Sequence, residues 1–260
     1  MVEKTSLSTA NRLNELHRAQ DKTIQRIASG KQILSAADDP AALAVSMALE
    51  SQTRGLARGI ANRQDEISLL QTAEGGMAGI SEMTQRIREL SVQAANGTLT
   101  AEDRQAIQAE IAQLNAGIDQ TVNMTTFNTK PLLDGSLKMQ LQNGNTLAIP
   151  AFGAAALGTS GIDVMTAEGA GNALTLASRA GEGVVSERAR LGAVSNGIAG
   201  EVSGLQQQLI DTVAAQSRIA DADLAQQVIA LTSQQLQQQV ATSVFKLDET
   251  SRSRVLSLLS

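Results

Sequence analysis

The 260 residues carry a net charge of −5, no Cys, a single His and three aromatic residues, all Phe. The lack of Cys excludes a disulfide framework and a thiolate nucleophile, and one His excludes a multi-His zinc site. Scattered charges leave no basic face for nucleic acid, and no apolar stretch is long enough to span a membrane. The composition therefore favours a non-catalytic protein without a cofactor.

A chain without Trp or Tyr suits slender helices seamed by small aliphatic residues better than a compact globule. The first helix is predicted to end near Gly30, where glycine takes the left-handed cap. Asp39 and Pro40 predict the N-cap and first residue of a long second helix, which Asn96-Gly97 stops. Its apolar positions follow helical spacing at Ile67, Leu70, Ala73, Met77, Ile80, Ile87, Leu90 and Ala94.

Thr100, with Asp103 three residues later, predicts the capping box of a third helix. The period then changes to two, with alternating apolar residues over 137–141 and 147–149. A three-residue loop at 143–145 predicts a hairpin that places Leu141 opposite Leu147 and Met139 opposite Ile149.

Helical spacing resumes in the C-terminal third, where Asp221 or Asp223 is expected to cap the last helix. Both terminal helices carry narrow apolar stripes, which need packing partners because isolated helices of this kind are marginal in water. We therefore expect the two ends to pair with each other and with copies of themselves. The stripe residues are Leu13, Leu16, Ile24, Ile27, Leu224, Val228, Leu231, Val240, Val244 and Leu247.

These elements predict a mainly α fold: an elongated bundle of long antiparallel helices with paired terminal helices and a small β-hairpin region. The expected division is a discontinuous terminal domain, 1–41 with 219–260, and a helical rod, 42–218, with the hairpin near 137–165. The first five residues lack the apolar segment of a cleavable secretory signal, so an exported chain would need another route.

Three patterns suggest chemistry, and each has a simpler interpretation. Residues 153–160 nearly match a phosphate-binding loop, but Thr159 stands where the essential Lys belongs. His17 lacks a nucleophile or orienting carboxylate in a recognisable pattern, so a solvated helix face is favoured over a general base. The aspartates at 38–39 and 221–223 are explained by helix capping better than by cation binding.

The polar face of the second helix leaves two interpretations open. Glu82, Arg86, Glu89 and Gln93 fall on one side, opposite the apolar stripe. A solvated face with a weak Glu82–Arg86 pair is one interpretation, and a lateral contact surface is the other. Spacing alone favours the solvated face.

Several ordered motifs resemble those of bacterial flagellins. They are Arg26-Ile27-Ala28-Ser29-Gly30-Lys31, Ser35-Ala36-Ala37-Asp38-Asp39-Pro40-Ala41, Gln85-Arg86-Ile87-Arg88-Glu89-Leu90, Phe127-Asn128, Ser217-Arg218-Ile219-Ala220-Asp221-Ala222-Asp223 and Val255-Leu256-Ser257-Leu258-Leu259. The resemblance covers about residues 5–150 and 170–260, and the middle is short for the family. It moves the polar face of the second helix towards the contact-surface interpretation.

The resemblance implies a subunit of the flagellar filament, exported unfolded through the flagellar type III apparatus and located outside the cell or in a periplasm. The implied partners are copies of itself, an export chaperone, the filament cap, the hook–filament junction proteins and a vertebrate toll-like receptor. The implied contact and receptor surface comprises Gln85, Arg86, Ile87, Arg88, Glu89, Leu90, Gln93 and Glu110. Leu256, Leu258 and Leu259 join the terminal-helix assembly residues by the same resemblance.

Two alternatives share the long helices. A hook–filament junction protein of the same family has the terminal helices but usually a longer middle. A secreted coiled-coil adhesin or effector would stay monomeric or dimeric. An enzyme carried on a flagellin scaffold is disfavoured, because one His and 260 residues leave no room for an inserted catalytic domain.

Overall fold

The computed structural model describes residues 2–140, 144 and 146–259, with side chains except those of residues 2–9, 248, 252 and 255–259. The helices are α1 (Val2–Ser29), α2 (Pro40–Ala94), α3 (Ala101–Met124), α4 (Ala154–Leu157), α5 (Ala167–Ala220) and α6 (Leu224–Leu259). The strands are β1 (Thr126–Phe127), β2 (Lys130–Pro131), β3 (Lys138–Gln140) and β4 (Thr146–Ala148), and a 3₁₀ turn follows α4 at Thr159–Gly161. The predicted mainly α fold with a small hairpin region is confirmed.

The chain forms two compact units, one from Met1–Ala57 with Gln206–Ser260 and the other from Arg58–Leu205. In the first unit α1 packs against α6, which confirms that the terminal helices pair. The predicted domain boundaries near 41 and 219 lie close to the breaks between helices, and they stay a prediction for the functional division.

The helix ends follow the capping rules read from the sequence. Gly30 ends α1 with a φ of 67°. The Asp39 carboxylate accepts the amides of Ala41 and Ala42 at 3.0 and 2.9 Å and so caps α2. Asp223 caps α6 in the same way, which decides between the two predicted aspartates.

Thr100 and Asp103 form the predicted reciprocal capping box at the start of α3. Bonds from the Thr100 amide and hydroxyl lower the pKa of the Asp103 carboxyl. The capping box therefore fixes the residue at which α3 begins.

The breaks between α1 and α2 and between α5 and α6 are hydrogen-bonded to each other. The Gln32 amide donates to the Ala220 carbonyl at 2.8 Å, and the Ala222 amide donates to the Gly30 carbonyl at 2.9 Å. These two bonds hold the segments antiparallel around Lys31 and Asp221.

The predicted hairpin forms, but its pairing is shifted by two residues. β3 and β4 pair Met139 with Leu147 rather than with Ile149. The predicted partner of Leu147, Leu141, and most of the loop lie outside the described residues. A shift of two residues keeps every side chain on the same face, so the apolar residues still point to one side.

A second hairpin, β1–β2, was not predicted. It turns on Asn128 and Thr129, with φ of 48° and 64°. Both central residues of a two-residue type I′ turn need positive φ, which Asn tolerates and Thr resists. The absence of glycine from this turn is why the sequence did not signal it.

The core of the second unit combines one face each of α2, α3 and α5 with the strands. Its largest fully buried side chains are Leu70, Met77, Ile80, Ile87, Leu90, Ile111, Ile118, Leu132, Leu133, Leu147, Ile149 and Leu191. Arg63, only 3% exposed, links α2 to α5 through Glu201 at 2.8 Å and also pairs with Glu66 at 2.6 Å. The two helices are therefore joined by charge as well as by apolar packing.

Polar side chains of α3 form hydrogen bonds with the backbone of segment 154–164, which contains α4 and the 3₁₀ turn. Gln108 accepts the Val164 amide and donates to the Ile162 carbonyl, both at 2.9 Å. Asp119 accepts the Ala154 amide at 2.8 Å. Because buried backbone groups need partners, these side chains replace the hydrogen bonds that regular structure would supply.

Candidate functional site

The two terminal helices present an apolar surface beyond the one that pairs them. Half-buried positions of α6 define its face towards α1, at Gln227, Ala230, Leu231, Gln234, Gln238, Ala241, Thr242 and Phe245. Outside these half-buried positions lie Ile229, Leu236, Val240 and Leu247, which are 59–69% exposed. Their spacing of seven, four and seven residues makes one continuous stripe along the helix. α6 therefore carries an exposed apolar stripe in addition to the half-buried, partly polar positions that face α1.

The predicted assembly residues divide between these faces. Leu13, Leu16, Ile27 and Leu231 are half-buried, in keeping with the α1–α6 contact. The more exposed predicted residues are Ile24, Leu224, Val228, Val240, Val244 and Leu247. The sequence reading missed Ile229 and Leu236, although their helical spacing from Val240 and Leu247 was a usable signal. The side chains of Leu256, Leu258 and Leu259 lie outside the described residues.

A groove runs between the paired terminal helices. It has a volume of about 440 Å³ and is lined by Arg12 and Leu16 of α1 and by Ser233, Leu236, Gln237, Val240, Ala241 and Val244 of α6. The exposed stripe of α6 therefore continues into a concave surface shared with α1.

The second candidate surface lies on α2 and α3 and centres on Arg86. The Arg86 Nε donates to Glu110 Oε1 at 2.9 Å, and its Nη1 lies 3.4 Å from Glu89 Oε2. The hydrogen bond and charge of Glu110, more than those of Glu89, raise the pKa of the Arg86 guanidinium. The Glu82–Arg86 pair expected from spacing is not among these contacts. All three charged groups are exposed, so their pairing orients the side chains rather than stabilising the fold strongly.

The structure removes two residues from the predicted contact surface. Ile87 and Leu90 are 0% and 2% exposed and belong to the core. They were also assigned to the apolar stripe of α2, and that assignment is confirmed. Their place on a contact surface stays a prediction, which their burial in the monomer disfavours. The exposed members of the predicted surface are Gln85, Arg86, Arg88, Glu89 and Gln93, and Glu110 is half-buried with its side chain 44% exposed.

The patterns that resembled chemical sites have structural roles. The Ala154 amide, within the loop-like motif at 153–160, is occupied by the Asp119 carboxylate, which would repel a phosphate. Both His17 ring nitrogens lie 3.2 Å from the Gln238 amide nitrogen, so this residue contributes a polar contact between α1 and α6.

Asp38 does not cap a helix, unlike its neighbour. It accepts the Leu34 and Ser35 amides at 3.1 and 3.2 Å and pairs with Lys22 at 2.5 Å. Chiefly the Lys22 bond, with the Leu34 amide, lowers the pKa of the Asp38 carboxyl to about 2. This carboxylate therefore ties the α1–α2 connection to α1.

Over the described ranges no group of three or more His, Cys, Asp or Glu side chains is arranged to hold a metal ion. In the same part of the chain no helix combines the length and hydrophobicity of a membrane span.

Comparison with known proteins identifies the family. The bacterial flagellin N-terminal helical region matches residues 3–138, and the C-terminal helical region matches residues 174–259. The flagellin of Bacillus subtilis is 35% identical, over 98% of this chain and 97% of its own length. The flagellar filament 33 kDa core protein of Treponema phagedenis is 34% identical, over 92% and 91%.

A solved structure agrees with this assignment. The crystal structure of Bacillus cereus flagellin aligns with 60% of this chain and 94% of its own, with a TM-score of 0.50 and 29% identity. With both helical regions matched and full-length relatives above 30% identity, the chain is a member of the bacterial flagellin family.

Proposed function

We propose that this chain is a structural subunit of the flagellar filament and that the uncovered stripe of α6 is its principal assembly surface. The observation that carries the proposal is the stripe itself: Ile229, Leu236, Val240 and Leu247 are largely exposed although they follow helical spacing. A continuous exposed apolar stripe marks a surface that a partner covers. A second copy is the partner that a filament subunit supplies.

The energetics suit a polymer that orders its ends on assembly. Burial of one Leu- or Ile-sized side chain contributes about 1.5–3 kcal/mol. Four such residues would contribute about 6–12 kcal/mol. That is comparable with the loss of translational and rotational freedom on association, about 4–15 kcal/mol, to which each ordered side chain adds about 0.5–1.5 kcal/mol. The terminal pair α1–α6 would then form the inner tube of the filament, with the rod around it.

The decisive experiment compares Leu236→Asp with Gln239→Asp, an equal charge change on an exposed position of α6 outside the stripe. Both variants should fold as the unmodified monomer does. Loss of about 2 kcal/mol of burial at Leu236 should raise the critical concentration for polymerisation about 30-fold or more, and Gln239→Asp should change it less than threefold. Electron microscopy of the polymerised chain should show filaments with a narrow central channel. Equal effects of the two variants would refute the stripe, and absence of filaments would refute the function.

Family resemblance supports the remaining partners and the route. The proposed partners are an export chaperone for the C-terminal helix, the filament cap and the hook–filament junction proteins. The proposed route is export through the flagellar type III apparatus. A vertebrate toll-like receptor that reads the α2–α3 surface would meet Gln85, Arg86, Glu89, Gln93 and Glu110, because Ile87 and Leu90 are buried.

A further inference from the structure

Two Asn-Gly dipeptides, Asn96-Gly97 and Asn196-Gly197, lie within the described residues, and Asn143 of a third lies outside them. Both residues of each described dipeptide are exposed. Because glycine has no Cβ, the backbone nitrogen that follows the asparagine is unhindered. That nitrogen can attack the carbonyl carbon of the asparagine side chain. The two dipeptides therefore share one chemistry and differ in how the fold holds them.

The Asn96-Gly97 dipeptide lies in the turn after α2, where its reacting groups are free and oriented. The Asn96 Oδ1 accepts the amide of Thr98 at 3.1 Å and the hydroxyl of the same residue at 3.0 Å. These bonds fold the Asn96 side chain forward over the Gly97 amide and polarise its carbonyl. Among the described residues no group accepts a hydrogen bond from the Gly97 amide. The nucleophile, the electrophile and two donors for the developing oxyanion therefore lie in one turn.

The Asn196-Gly197 dipeptide lies inside α5. An amide within an α-helix donates to the carbonyl four residues before it, so the Gly197 nitrogen is held away from the side chain that it would attack. Reaction at this dipeptide therefore requires local opening of α5. It is a control for Asn96 with the same residues and the same exposure.

We propose that Asn96 is a site of spontaneous deamidation in the folded chain, with water as the co-reactant. The Gly97 nitrogen bonds to the Asn96 Cγ, and its proton passes to the side-chain nitrogen, which leaves as ammonia. The resulting five-membered succinimide is opened by water, whose hydroxyl bonds to one carbonyl carbon while its proton goes to the ring nitrogen. One water is consumed, one ammonia is released, and no atom changes oxidation state. The new carboxyl group ionises, so the chain gains one negative charge.

The position of Arg104 shows that the turn can hold the isomerised product. Its Nη2 donates to the backbone carbonyl of Asn96 at 3.1 Å. Opening of the ring at this carbon gives isoaspartate, in which the main chain runs through the former side chain and the backbone carbonyl becomes a free carboxylate. A charge-assisted bond to the guanidinium then replaces a bond to a neutral acceptor. The Arg104 contact therefore does not oppose the reaction.

The test follows both dipeptides in the same folded protein. The chain is incubated in mildly alkaline buffer and digested at acid pH, and peptide mass spectrometry measures replacement of each side-chain amide by a carboxyl. Asn96 should deamidate at least about tenfold faster than Asn196, since a tenfold difference corresponds to about 1.4 kcal/mol of helix opening. In urea, where both dipeptides lose their structure, the two rates should agree within about twofold.

Gly97→Ala is the matched variant, because a Cβ at Gly97 would meet nothing within 4 Å and the fold is therefore retained. The added methyl hinders the approach of the nitrogen and should slow deamidation of Asn96 about tenfold. Enzymatic methylation of isoaspartate is the second readout, because direct hydrolysis of the amide gives aspartate alone.

Three outcomes would overturn the proposal: equal rates at Asn96 and Asn196 in the folded chain, an unchanged rate in Gly97→Ala, or deamidation without isoaspartate. None of them depends on filament formation, so the proposed function is tested separately.

Discussion

Arg104 is expected to be among the most sensitive positions of the second unit, because it closes the C-terminal end of α2. Its guanidinium donates through Nη1 to the Ala94 carbonyl and through Nη2 to the Asn96 carbonyl at 3.1 Å. The side chain is only 8% exposed, and Ala94 is fully buried. A cation at this end also interacts favourably with the helix dipole.

The size of the effect follows from the two bonds. A hydrogen bond to a charged group contributes about 1.5–3 kcal/mol net. In Arg104→Ala the exposed Asn96 carbonyl regains water, whereas the buried Ala94 carbonyl stays unpaired. We therefore expect Arg104→Ala to lower the free energy of unfolding by about 3 kcal/mol. Arg104→Lys retains the charge and one bond and should cost about 1–1.5 kcal/mol.

Urea unfolding of the monomer, followed by circular dichroism, measures this difference at constant m-value. The corresponding change in Tm for Arg104→Ala is about 6–12 °C for a protein of this size. Arg179→Ala, an exposed arginine of α5, is the matched control and should change stability by less than about 0.5 kcal/mol. A loss in Arg104→Ala no greater than that of the control would show that the helix end does not depend on this clamp.

Two further predictions concern acid and glycine. The folded-state pKa of Asp38 is about 2, below its ordinary 3.8, so its stabilising contacts are complete above about pH 4 and lost as pH falls through 2. An NMR titration should show protection of the Leu34 and Ser35 amides falling over that range. Asp38→Asn should remove this pH dependence. Gly76→Ala should destabilise the monomer by about 1–2 kcal/mol because its Cβ would meet the Thr125 side chain, whereas Gly200→Ala, with open space around it, should stabilise by up to about 1 kcal/mol, both measured by urea unfolding.

Features governed by near neighbours in sequence were predictable from it. The helix ends at Asp39, Thr100 and Asp223 depend on hydrogen bonds within three residues, and the end at Gly30 depends on the left-handed conformation of one glycine, so capping rules found them. The apolar stripe of α2 was also predictable, because helical spacing states directly which side chains share a face. The same spacing would have found Ile229 and Leu236 had it been applied to every face of α6.

Features that depend on distant partners were not predictable. The pairing of Arg86 with Glu110 joins residues 24 positions apart, and the Gln108 brace reaches 56 positions to Val164. Register in β3–β4 was missed for a different reason. Pairings that differ by two residues bury the same faces, so the apolar pattern cannot separate them, and the turn at 143–145 was the only remaining signal.

The glycines of α5 show how packing and helix propensity oppose each other in this helix. A Cβ added at Gly181, Gly183, Gly192, Gly197, Gly200 or Gly204 would meet nothing within 4 Å, so close approach of another element of the described chain does not account for these glycines. α5 is nevertheless continuous from Ala167 to Ala220, because one face of it buries Ala170, Ala173, Ala177, Val184, Leu191, Ile198 and Val202. Each exposed glycine still lowers helix stability by up to about 1 kcal/mol relative to Ala. No contact that an added Cβ would make accounts for these glycines, so α5 is held by the packing of its buried face and not by the helix propensity of its sequence.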